Sequence, residues 1–106
     1  MSQAKVDFKV LPWEETAVGA RSKAFVGDGK KLRLVEFTEE FVEHEWCLKS
    51  HTGYVLEGEM EITFDDGTER LSTGDGIFIA GGERQRHRAR VAAGSSLRLI
   101  LVEDAE

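Results

Sequence analysis

This 106-residue chain contains one cysteine, Cys47, and one proline, Pro12. A single cysteine excludes an internal disulfide, and a reducing cytoplasm is the compartment to expect. No apolar run approaches the roughly 20 residues needed to cross a bilayer. The opening stretch MSQAKVDFKV lacks the apolar core of a signal peptide, so no membrane association is expected. Basic residues are in deficit, with 14 Lys and Arg against 20 Asp and Glu, a net charge of -6 and a pI near 5.1. That balance argues against nucleic acid as a partner, because phosphate contact needs clustered cations. Hydrophobic residues reach 41%, enough for a normal core, and 11 glycines supply the turns that proline does not.

The length fits one domain spanning residues 1–106, with no repeat, linker or low-complexity segment. Apolar and charged residues nearly alternate from Lys31 to Phe37. Met60, Ile62 and Phe64 alternate with Glu61 and Thr63, the period of a half-buried strand. Ile77 to Ala80 and Leu97 to Val102 are apolar runs suited to buried strands. Turn signals separate them at Gly27-Asp28-Gly29, Asp65-Asp66-Gly67, Ser72-Thr73-Gly74-Asp75 and Ala93-Gly94-Ser95. The Asp66-Gly67 pair marks a hairpin. Short strands punctuated by glycine predict an all-β sandwich or barrel. A single helical turn is expected over Trp13–Val18.

Two segments carry more. One is His44-Glu45-Trp46 followed by His51-Thr52-Gly53-Tyr54-Val55-Leu56-Glu57-Gly58-Glu59. The other is Gly74-Asp75-Gly76-Ile77-Phe78-Ile79-Ala80-Gly81-Gly82. In this order, joined by a hairpin, they resemble the two signature motifs of the cupin superfamily, over roughly residues 43–90. The resemblance implies an antiparallel jelly-roll barrel enclosing a polar pocket, a homodimer, and a divalent metal held by His and Glu side chains. Laid on this sequence, the first motif histidine is His44. Trp46 stands at the second histidine and His51 at the glutamate. In the second motif Ala80 replaces proline and Gln85 replaces histidine.

Strand parity gives a separate reading of the pocket. Arg84, Arg86, Arg88 and Arg90 share one face, which must lie outside, since buried unpaired guanidinium groups are prohibitively costly. Gln85 and His87 then point inward. His87 lies two residues past the motif position, about 6.6 Å along a strand, a distance that a longer preceding loop would absorb. By the same parity, His44 and Trp46 share a face and Cys47 opposes them, as a small packing residue outside the pocket. The metal ligands expected are His44, His51 and His87, a set suited to Zn, Ni, Fe, Mn or Cu. The expected ligand-binding residues are Trp46, His51, Gln85 and His87. Lys49 reads as a solvated charge, or as the partner of an anionic ligand. The Arg face reads as protection of a sheet, with Glu59 and Glu61 as cross-strand partners.

No carboxylate falls among these inward groups to act as a general base. The leading expectation is therefore a barrel that binds a small polar molecule, through a His-held divalent metal or without one. The alternative is a metal-dependent enzyme, of isomerase or dioxygenase type, acting on a small sugar or organic acid. A structural dimer with a vestigial pocket is the third reading.

Overall fold

The computed structural model describes residues 4–105. Eight strands form it: β1 (Glu14–Ala17), β2 (Ala20–Gly27), β3 (Lys30–Phe37), β4 (His51–Phe64), β5 (Gly67–Ser72), β6 (Gly76–Ile79), β7 (Arg88–Arg90) and β8 (Leu97–Asp104). Two short 3-10 turns, Phe8–Val10 and Glu83–Gln85, are the helical elements among the described residues. All pairings are antiparallel, in the order β1-β2-β3-β8-β4-β5, with β6 and β7 also paired to β4. The jelly-roll expectation is met. The helical turn expected over Trp13–Val18 is not found. Glu14–Ala17 is an edge strand paired with β2, and tertiary pairing overrides the local sequence preference there.

The 14-residue β4 organises the barrel. Its first half pairs with β8 on one side and β6 on the other. Its second half pairs with β5 and β7. The strand changes course at a bulge between Val55 and Glu57 and at Gly58, whose φ is 96°. A Cβ at Gly58 would lie 1.9 Å from the Ser96 carbonyl oxygen, so only glycine lets the strand pass there. The β2–β3 hairpin turns on Asp28 and Gly29, both at positive φ, as a tight hairpin requires.

The inward rows of the sheet make one core. Val35, Val55, Leu97, Leu99 and Leu101 come from one side of the barrel and Met60, Ile62, Ala89 and Val91 from the other. On the outside, Arg90 pairs with Glu61 at 3.0 Å and Arg86 with Asp65 at 3.0 Å, so the arginine row faces solvent as its parity requires. Among the described residues no helix is long and apolar enough to cross a membrane.

Candidate metal and ligand site

A cavity of about 330 Å³ runs through the barrel, within the range of small-molecule sites. At one end it collects Cys47, His51 and His87, and one ligand atom from each lies within 4.8 Å of the others. His51 opens β4. The backbone of His87 exchanges hydrogen bonds with that of Cys47, at 2.7 and 3.0 Å, which places these two residues directly opposite each other. Directly opposed residues of an antiparallel pair project to the same face, so Cys47 enters the cavity with His87.

Each imidazole is held by its Nδ1. His51 Nδ1 donates to Glu103 Oε2 at 3.1 Å, and His87 Nδ1 donates to the Gln85 carbonyl at 3.0 Å. Both Nε2 atoms are thereby left to the cavity. His51 Nε2 lies 3.9 Å from Cys47 Sγ, and the two rings meet edge to face with centroids 5.2 Å apart. His87 is only 2% exposed, and its Nε2 is a buried polar atom without a hydrogen-bond partner among the described residues. A buried orphan of this kind calls for an explanation, because leaving it unsatisfied is costly. Glu103 also accepts two hydrogen bonds from Arg33, both at 2.8 Å. Burial works to raise its pKa, but the hydrogen bonds and charges of His51 and Arg33 outweigh burial and hold the carboxyl at about 2.

Two of the residues expected at the site, His51 and His87, lie together in the cavity, and three do not. His44 is exposed, and among the described residues only its carbonyl is engaged, by Arg88. Trp46 lies outside, with the Arg86 and Arg88 guanidinium groups 4.5 and 4.4 Å from its ring, so the arginine row draws it outward. Gln85 belongs to the 3-10 turn, where strand parity does not apply, and its Oε1 accepts the Ala80 N–H at 2.6 Å. Cys47 corrects the parity reading in the opposite sense, since it lines the cavity.

Glu43 overturns the expectation of a cavity without acid. It lines the cavity and its Oε1 accepts the Ala89 N–H at 2.9 Å. The Cys47–His87 and Val42–Arg90 bridges are the signal that places both Glu43 and Cys47, and they are pairings that no short-range pattern announces. The remainder of the lining also departs from the expected polar pocket. Phe37, Phe41, Met60, Ile62, Ile77, Ile79, Leu99 and Leu101 make most of the wall apolar.

The donor set fits a metal ion. Two imidazole nitrogens and one thiol sulfur form a borderline-soft group of the kind that binds zinc and the later first-row metals. An ion there would satisfy the orphaned His87 Nε2.

The family model for the cupin domain matches residues 36–103. No curated protein sequence matches this one. Among solved structures, the polyketide cyclase RemF from Streptomyces resistomycificus is similar with a TM-score of 0.77 at 24% identity, over 99% of this chain and 81% of that one. KdgF from Halomonas sp. is similar with a TM-score of 0.76 at 20% identity, over 99% of this chain and 96% of that one. A sugar phosphate isomerase of the cupin superfamily from Silicibacter pomeroyi gives 0.77 at 15% identity, over 97% and 76%. Identities this low establish the fold alone. The family match covers well over half of the sequence, and this protein belongs to the cupin family.

Proposed function

We propose that this protein binds a small molecule inside its barrel at a divalent transition metal held by Cys47, His51 and His87. The observation that carries the reading is the buried, unpartnered Nε2 of His87 beside His51 and Cys47. Three protein ligands leave room in the coordination sphere for an oxygen of a bound molecule, and the metal would supply Lewis acidity there. The chain's own contribution is to orient the donors. Glu103 and the Gln85 carbonyl fix the proton of each ring on Nδ1, and the Arg33–Glu103 pair keeps the His51 side of the site rigid. A thiolate donor favours zinc, nickel, iron or copper and disfavours manganese, which prefers oxygen ligands.

The comparisons support this reading to the extent that RemF and the isomerase, by their names, are enzymes built on this fold. Glu43 favours the alternative of catalysis, because it places a carboxylate within the same cavity where a base would be needed.

Metal analysis of untagged protein tests the proposal. Near-stoichiometric metal is expected in the wild type, as is a thiolate-to-cobalt charge-transfer band after exchange with Co(II). Both should be lost in Cys47→Ser and His87→Ala variants whose circular dichroism remains that of a β-barrel. Protein that takes up neither zinc nor cobalt would defeat the reading.

A further inference from the structure

Strand register sorts the cavity along its axis. Inward side chains on β8 run Glu103, Leu101, Leu99, Leu97, and their partners on β3 are Lys31, Arg33, Val35 and Phe37. On the opposite wall His87 faces Cys47, and the next inward residues are Ala89, which pairs with Ile62, and Val91. Apart from Glu43, whose carboxylate is engaged by the Ala89 N–H, both walls therefore place their polar groups at one end and run apolar from there. Phe37 and Phe41, stacked at 4.0 Å between centroids, line the apolar part.

The charged groups at the cavity are not equally available. Arg33 is bound bidentately by Glu103, and Glu43 accepts a backbone N–H. Lys49 lies two residues from both Cys47 and His51, lines the same cavity and is exposed. It makes no ion pair among the described residues. As an exposed residue of the lining, it borders the opening.

We infer that the ligand is an amphiphilic carboxylic acid, with an aromatic ring or short alkyl chain among the apolar residues and its carboxylate at the Lys49, His51 and His87 end. This rests on the proposal that the cavity binds a small molecule, and it names the chemical class. The acid group meets the one cation at the cavity that, among the described residues, no protein carboxylate has taken, beside the donor cluster. The body of the ligand gives up water for Leu99, Ile77, Ile79 and Met60. A sugar or other polyol would instead bury hydroxyl groups against those side chains without partners.

Calorimetric titration of the full chain, zinc-loaded and metal-free, with 3-phenylpropionate, 3-phenylpropan-1-ol and gluconate tests the inference. Phenylpropionate should bind tightest, the neutral alcohol more weakly and gluconate weakest. Lys49→Met, a change at an exposed position, should weaken phenylpropionate about fivefold and leave the alcohol unchanged. Amide shifts at Ala89 and Leu99 should place the acid inside the barrel. Gluconate binding as tightly as phenylpropionate, shifts confined to the exposed face around Phe78, or no effect of Lys49→Met would each overturn it. The two proposals fail separately. Zinc uptake without phenylpropionate binding removes the ligand class and leaves the metal site, whereas phenylpropionate binding without zinc uptake removes the metal site and leaves the class.

Discussion

At His51 the ring is fixed before any ion arrives, because Glu103 accepts its Nδ1 proton and Arg33 grips Glu103 from the other side. Outer partners of this kind set ligand orientation and basicity. Glu103→Gln should therefore lower zinc affinity by about 10–100-fold while leaving Cys47 and His87 in place, as measured by competition with a chromophoric chelator. An unchanged affinity would mean that Glu103 only stabilises the fold. At this scale His51 and His87 were legible, since one stands in a recognisable motif and the other opposes an arginine row that must lie outside. Cys47 and Glu43 were not. Counting parity from His44 assumes a continuous strand, whereas residues 43–50 are irregular and joined to the barrel by isolated bridges. Trp46 misled for the same reason, because parity set it beside His44 as a pocket residue, whereas Arg86 and Arg88 stack on it outside.

Among the elements, hairpins were the most legible, since Asp28-Gly29 and Asp66-Gly67 state the turn locally. β1 was not, because four exposed residues form a strand only through pairing with β2. Cross-strand ions show how neighbouring strands are tied together. Glu36 on β3 accepts from Arg21 on β2 at 2.9 Å and from Arg98 on β8 at 3.0 Å. Burial works to raise its pKa, but the hydrogen bonds and charges of the two arginines prevail and lower it from 4.5. A lowered carboxyl pKa stabilises the fold above the unfolded value, and the contribution is lost as pH falls through the folded value. Glu36→Gln should thus cost about 0.5–1 kcal/mol at neutral pH, and the deficit should fade as the pH drops below 4.5. Urea midpoints of both proteins at a series of pH values would show this, and a deficit that persists in acid would assign the cost to packing.

For the whole molecule, the barrel was legible because glycine spacing and period-2 runs report backbone geometry directly. The character of its interior was not. An apolar residue on a strand looks the same whether it packs against a neighbour or borders a hollow, so Phe37, Met60, Leu99 and Leu101 read as solid core. The division of labour around that hollow has a kinetic side. His51 begins β4, which is flanked by partners along both halves, whereas Glu43 and Cys47 sit on the stretch between β3 and β4 that only a few hydrogen bonds hold. Hydrogen–deuterium exchange should find amides from Val55 to Ile62 opening only with global unfolding, and those of residues 42–50 exchanging faster by roughly two orders of magnitude or more. Uniform protection across both would contradict this. Lys49, at the border of the cavity's opening, sits on this readily melted stretch, so the width of that entrance would fluctuate with the local opening of one segment.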